Sequence, residues 1–175
     1  DTPYNNSVIA FKDNASVIMG YNISDLIVEP KDCLNNIRIN LLLPTHTAET
    51  HNFPTGVCPF PGASTGTGGR IRDTIAVGKG ARFTSSYVGY SVGHISNNDL
   101  YGDYDIEKSK DNIWDYPYNK PIDILIKASN GASDYGNKIG EPIISGYTRG
   151  YSGTVNNERI EYVKPIMYCG GIGNI

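Results

Sequence analysis

The densest group of residues that could do chemistry lies between Ala48 and Asp73. Glu49 and His51 are two positions apart, so on an extended backbone both side chains point to one face. A carboxylate and an imidazole side by side can share a metal ion, or one can bind the metal while the other accepts a proton. Asp73 supplies a second carboxylate. These residue types favour a site for a divalent cation and an anionic ligand.

Residues 62–69, Gly-Ala-Ser-Thr-Gly-Thr-Gly-Gly, contain no bulky side chain. We expect a loop that exposes backbone N–H groups and enters a helix at Thr67, whose positive end would also attract anions. Arg70 and Arg72 add cations. Together with two carboxylates these are components of a Mg²⁺–nucleotide site, yet neither G-x-x-x-x-G-K-[ST] nor G-x-G-x-x-G after a strand occurs. A structural glycine turn and an ordinary hydrogen-bonded histidine remain open alternatives.

The elements that must position these residues are short and separated by many Gly and Pro residues, 20 and 10 of them. Alternation of apolar and polar residues predicts strands, and spacing of apolar residues by one turn predicts two helices. Because strands and helices are interspersed without a regular β-α-β order, we predict an α+β fold in a single domain, 1–175. The predicted strands are 8–18, 37–43, 85–95, 143–145, 160–163 and 166–169, and the predicted helices are 67–77 and 121–129.

Composition limits the classes of function. A chain of 175 residues with 39% hydrophobic residues can fold around one core, and its net charge of −3 gives no basic field for nucleic acid or anionic lipid. No apolar run approaches the roughly 20 residues that cross a bilayer. Cys33, Cys58 and Cys169 form neither a disulfide framework nor a C-x-x-C pair, which favours reduced cysteines in a cytoplasmic protein.

Two segments suggest what surrounds this domain. The chain stops at Gly170-Gly-Ile-Gly-Asn-Ile175, straight after the apolar run 165–169, so we expect a fragment of a longer protein. Residues 97–119 are rich in Asp and Tyr. This acidic insertion is either a partner-binding element or a solvated surface loop held by a few aromatic residues.

Four segments resemble the phosphoribosylformylglycinamidine synthase family, the glutamine-dependent ligases of purine biosynthesis. The main signature is Glu49-Thr-His-Asn-Phe-Pro54 followed by 61–73, and the others are 11–15, 146–149 and 164–175. Many bacterial members have Lys and His where Thr47 and Phe53 stand here, so the chain is most similar to the large single-chain eukaryotic form. The resemblance implies the aminoimidazole ribonucleotide synthetase-like N-terminal fold, a mixed sheet flanked by helices that pairs with a second copy to build a barrel.

The resemblance also implies roles for individual residues. Glu49 and Asp73 would be Mg²⁺ ligands, and His51 would accept a proton. The substrate would contact Thr50, Asn52, Phe53 and Arg72. ATP would contact Gly62, Ala63, Ser64, Thr65, Gly66, Thr67, Gly68, Gly69, Arg70, Ile71, Arg72 and Asp73, together with Gly146, Tyr147 and Thr148.

The reaction implied by the resemblance joins ammonia to formylglycinamide ribonucleotide with ATP as co-substrate and Mg²⁺ as cofactor. Ammonia would come from a glutaminase domain outside this chain, so we expect 1–175 to be inactive alone. An isolated sheet face is also expected to self-associate. The alternatives are a structural, non-catalytic nucleotide site of the same enzyme, a selenophosphate synthetase or thiamine-phosphate kinase type of protein, and a module that binds no nucleotide.

Overall fold

The computed structural model describes residues 5–12, 14–31, 33–78, 80–95 and 116–175. Within these ranges the chain forms ten strands and three helices. The helices are α1 (Asn52–Val57), α2 (Pro59–Ala76) and α3 (Pro121–Ile139). The strands are β1 (Ser7–Lys12), β2 (Ala15–Ile18), β3 (Tyr21–Val28), β4 (Asn35–Leu42), β5 (Pro44–Thr50), β6 (Arg82–Val92), β7 (Ile143–Gly150), β8 (Ser152–Val155), β9 (Glu158–Glu161) and β10 (Ile166–Asn174).

Six strands form one mixed sheet in the order β1-β2-β5-β10-β6-β7. All neighbouring pairs are antiparallel except β6 and β7, which are parallel and connected through α3. A parallel pair needs such a crossover because the chain must return to the same end of the sheet. The α+β prediction with a mixed sheet and flanking helices is therefore confirmed.

The helices cover one face of the sheet. Val88 and Tyr90 of β6 and Met167 and Cys169 of β10 point to this face and form a core with residues of α2 and α3. The register places Cys169 opposite both Val88 and Glu49, so the side chain of Glu49 belongs to the same, helix-covered face. Tyr87, Tyr168 and their neighbours alternate onto the other face, which carries no helix in the described part of the chain.

Strand β4 differs from the sequence prediction. The apolar run 37–43 predicted a buried strand, but β4 pairs only with β3 in a separate two-stranded ribbon. Ile37 and Ile39 are 77% and 75% exposed there. The prediction of a buried strand was wrong. An apolar run indicates that a strand is suited to burial, but it does not show whether other residues of this chain bury it. β4 ends at Leu42, and Pro44 begins β5.

The remaining predicted elements are mostly present with changed lengths. The segment 8–18 is a hairpin of two strands whose turn contains Asn14. α3 continues ten residues beyond its predicted end at 129 and stops at Gly140, whose φ of +77° is the left-handed conformation that glycine adopts easily. Most of the acidic insertion 97–119 lies outside the described residues. No helix in the described ranges is both long and apolar enough to cross a membrane.

Candidate functional site

The two carboxylates at 49 and 73 share one hydrogen-bond donor. Asn14 Nδ2 lies 2.5 Å from Glu49 Oε2 and 3.3 Å from Asp73 Oδ2. Strand β5 positions Glu49 on the face covered by α2, and Asp73 lies in the last turns of α2. The structure thus brings together the two acids that the sequence predicted to bind one cation. Their role as metal ligands stays a prediction.

The other oxygens of both carboxylates are also occupied. Glu49 Oε1 accepts the backbone N–H of Thr50 at 2.9 Å. Asp73 Oδ1 accepts Nε and Nη2 of Arg72 at 3.1 and 2.9 Å. Asp73 is only 5% exposed, whereas the side chain of Arg72 is 73% exposed. The pair is therefore a partly buried anionic centre, balanced by one guanidinium at its solvent side.

This donor set fits Mg²⁺. Mg²⁺ prefers oxygen ligands and is usually held by one or two carboxylates, with waters and phosphate oxygens completing the octahedron. No group of three or more His, Cys, Asp or Glu side chains within the described ranges could hold a metal ion. A Mg²⁺ ion at Glu49 and Asp73 would therefore need further oxygens from a nucleotide and water.

His51 lies at the start of α1, two residues after Glu49. Its backbone is fixed on both sides, because its N–H donates to Met167 O at 2.9 Å and its carbonyl accepts the hydroxyl of Thr55 at 2.5 Å. Gly66 of α2 lies against it, where an added Cβ would come within 2.9 Å of His51 Cβ. The ring atom Nδ1 is buried and has no hydrogen-bond partner in the described part of the protein. The backbone of His51 is therefore held in place, and its Nδ1 is enclosed by protein.

The glycine segment 62–69 is helical, which corrects the sequence prediction of a loop. α2 begins at Pro59, so the backbone N–H groups of 63–69 lie inside the helix and donate within it. Pro59 and Pro61 have no N–H at the helix start, and the N–H of Gly62 donates to Cys58 O. The expected cradle of free N–H groups is therefore not formed.

The glycines of α2 instead permit close packing. A Cβ at Gly62 would lie 2.5 Å from the backbone of Pro54 in α1, and one at Gly68 would lie 2.7 Å from the ring of Tyr135 in α3. Gly131 of α3 also faces α2, because a Cβ at Gly131 would lie 2.1 Å from Phe60 O. Because glycine has no side chain at these positions, the three helices can pack closely against each other.

Arg70 does not reach solvent. Its side chain forms an ion pair with Glu141, and both side chains are completely buried. The guanidinium lies against Gly171 of β10, where an added Cβ would be 2.2 Å from Nη1. The side chain joins α2 to the α3–β7 connection within the core, and the ATP contact of Arg70 stays a prediction.

The second predicted nucleotide segment lies elsewhere on the same face. Gly146, Tyr147 and Thr148 line a cavity of about 460 Å³ between α3, β6 and β7. Glu49 and Gly146 are aligned across the sheet but three strand spacings apart, or about 14 Å. The described residues do not join the two predicted nucleotide segments into one pocket, and the ATP contacts stay a prediction.

The predicted substrate residues have different surroundings. Asn52 Oδ1 accepts the N–H of Met167 at 3.0 Å and ties α1 to β10. Phe53 is 60% exposed and packs edge-on against Tyr118. Thr50 lies at the end of β5, and its side chain alternates onto the face opposite Glu49. Their substrate contacts stay predictions, and Arg72 is the member of this group that adjoins the acid pair.

A polar cluster on the uncovered face was missed by the sequence analysis. His46 Nε2 lies 2.7 Å from Tyr87 Oη, which lies 3.3 Å from Tyr168 Oη. Burial, followed by the hydrogen bond with Tyr168, raises the pKa of Tyr87 to about 12, so the phenol stays protonated at neutral pH. These residues come from β5, β6 and β10, and only the strand register brings them together.

Cys169 borders the site without taking part in chemistry. It pairs with Glu49 across β5 and β10 and is fully buried. Burial raises the pKa of its thiol, so little of the reactive thiolate forms at neutral pH. All three cysteines are unpaired, and Cys33 and Cys58 are exposed.

Curated relatives match almost the whole chain. The phosphoribosylformylglycinamidine synthase of Dictyostelium discoideum is 49% identical over 176 residues, which is 96% of this chain and 12% of the relative. The probable chloroplastic/mitochondrial enzyme of Arabidopsis thaliana is 48% identical over 98% of this chain and 12% of its own length. The enzyme of Homo sapiens is 44% identical over 97% and 13%. This chain thus spans about an eighth of the curated relatives that it matches.

Solved structures give a weaker likeness. A Thermotoga maritima PurL complexed with FGAR is 23% identical, with a TM-score of 0.48 over 77% of this chain and 16% of that one. The same protein complexed with ATP gives a TM-score of 0.47 over 77% and 17%. No family profile matches the chain.

Proposed function

We propose that this chain, which is homologous over nearly its whole length to one segment of the phosphoribosylformylglycinamidine synthases, forms part of their ATP-dependent synthetase site. In this proposal the complete enzyme joins ammonia, made from glutamine on another domain, to formylglycinamide ribonucleotide. The substrate's amide oxygen takes the γ-phosphoryl group of ATP, which gives ADP, and leaves as phosphate when ammonia replaces it, which gives the amidine. The observation that carries the proposal is the juxtaposition of Glu49 and Asp73 around Asn14.

The residues suit the electrostatic demands of phosphoryl transfer. Glu49 and Asp73 would hold Mg²⁺, which when bound neutralises charge on the nucleotide phosphates. Arg72 is largely exposed next to Asp73 and has guanidinium N–H groups that can form bidentate bonds to a phosphate. The imidazole of His51 is the side chain next to Glu49 that we assign as the proton acceptor. We assign His51 the proton that ammonia releases when it replaces the oxygen.

The acid pair is tested in the full-length enzyme by Glu49→Gln and Asp73→Asn. Each change removes one negative charge and keeps the shape, so we expect the Mg²⁺ concentration for half-maximal activity to rise at least tenfold. Asp134→Asn, whose carboxylate pairs with Lys138 on α3, is the matched control and should leave this concentration unchanged. Wild-type Mg²⁺ dependence in both site variants would refute the proposed metal pair.

The uncovered face of the sheet supports a place inside a larger polypeptide. Tyr147 and Ile172 are 38% and 48% exposed on this face, and Tyr87 and Tyr168 lie between them. We assign this face to contact with the remaining synthetase domains of the same chain, where burial of aromatic surface would stabilise the assembly. Self-association of the isolated segment and a cytoplasmic location stay predictions from the sequence.

A further inference from the structure

Asn14 occupies the place between the two carboxylates that a shared cation would need. Its amide nitrogen contacts Glu49 Oε2 and Asp73 Oδ2 at once. The nitrogen must be the atom on that side, because the amide oxygen would be repelled by two carboxylates. Asn14 is contributed by the turn between β1 and β2, at the edge of the sheet. The catalytic role of the acid pair does not explain why this donor is there.

We propose that the Asn14 side chain is a competitor of the cation, a positioning residue that holds the acid pair together until the cation displaces its amide. This inference rests on the proposed metal pair and adds a residue that tunes its affinity. Two carboxylates facing each other in a partly buried place repel one another, and a bridging N–H donor offsets that repulsion. The donor also links Glu49 of β5 to Asp73 of α2.

The competition has a definite thermodynamic sign. A contact that is present only without the cation stabilises the cation-free protein and weakens cation binding by the same free energy. Hydrogen bonds to charged groups are among the stronger ones, so their loss should tighten binding on the order of tenfold. Asn14→Ala is therefore expected to make the cation-free protein less stable and its affinity for the cation higher. A merely structural hydrogen bond would lower the stability without tightening the binding.

The experiment uses the full-length synthase after treatment with a chelator, with Mn²⁺ as the probe, since free Mn²⁺ is counted by electron paramagnetic resonance. Glu49→Gln first identifies the Mn²⁺ ions that depend on the acid pair. Asn14→Ala should then bind these ions about tenfold more tightly than the wild type, while hydrogen exchange in β5 becomes faster without Mn²⁺. Ser16→Ala is the matched control, because its hydroxyl donates to His46 O in the same hairpin and does not reach the acids.

The outcomes separate the two proposals. Unchanged or weaker Mn²⁺ binding by Asn14→Ala, with Glu49→Gln reducing the binding, overturns the competitor role and leaves the metal pair intact. Mn²⁺ binding that Glu49→Gln does not alter refutes the metal pair itself. If Asn14→Ala does not fold, Asn14→Ser replaces it, because serine is shorter than asparagine and still polar. We expect Asn14→Ser to bind Mn²⁺ more tightly as well. Tighter binding in Ser16→Ala as well would also overturn the role, since the effect would then belong to the hairpin.

Discussion

The buried ion pair between Arg70 and Glu141 predicts a large local effect of Arg70→Met. Both side chains are completely buried, so removal of the guanidinium leaves a carboxylate in the core without its counter-charge. Loss of one partner from such a pair costs about 3–5 kcal/mol. Since 1.4 kcal/mol is a factor of ten, α2 should open roughly 10²–10³ times more often. The predicted ATP contact of Arg70 would instead give weaker nucleotide binding with normal protection.

The loss of stability caused by Arg70→Met should depend on pH, because burial changes the pKa of Glu141. Burial raises the pKa of Glu141, and the guanidinium of Arg70 opposes this shift. Without Arg70 the folded pKa lies still further above the unfolded value. A raised folded pKa means that stability is present below the unfolded pKa and lost as pH rises through the folded pKa. The cost of Arg70→Met should therefore be smallest near pH 5 and largest near pH 8.

Hydrogen exchange with mass spectrometry measures this effect locally, which suits a long multidomain enzyme that does not unfold in two states. Peptides from α2 should lose protection in Arg70→Met after correction for the intrinsic pH dependence of exchange. Arg70→Met with Glu141→Leu should recover most of the protection, since an apolar pair of similar volume needs no counter-charge. Wild-type protection of α2 at pH 8, or a loss that is the same at pH 5 and pH 8, would refute this reasoning.

Two further predictions concern the proposed proton acceptor, His51, and the glycines of α2. His51→Ala in the full-length enzyme should lower the rate of amidine formation by roughly 10²–10⁴-fold with unchanged hydrogen exchange in α1, because general base catalysis contributes that much; near-normal turnover would contradict the role. Gly69→Ala should stabilise α2 by about 0.5–1 kcal/mol, because its Cβ would meet only Arg72 Nη2 at 3.7 Å. Gly62→Ala should destabilise it by about 1–3 kcal/mol through the clash with Pro54, and equal exchange in the two glycine variants would contradict the packing role.

The sequence indicated that Glu49 and Asp73 belong to one site, but it did not predict the structure around them. Glu49 and Asp73 followed from their residue types, the resemblance gave them the role of metal ligands, and the fold brings them to one amide. Asn14 was part of a quoted segment but received no role, because its chemistry depends on a hairpin turn reaching across β5 to α2. The His46–Tyr87–Tyr168 cluster could not be predicted for the same reason. Three strands must be aligned before their side chains meet.

The glycine segment shows why a local pattern can favour the wrong structure. Small residues at 62–69 are compatible with a phosphate-binding loop and with a helix that other helices approach closely, since both require an absent Cβ. The two cases differ in what lies opposite the glycine, which in this protein is Pro54, His51 and Tyr135 rather than a ligand. Pro59 and Pro61 favour the helix, because they fit its first turn and remove the N–H groups that an anion would need. Anion binding near α2 would therefore depend on charged side chains such as Arg72 and on the cation that we propose for Glu49 and Asp73.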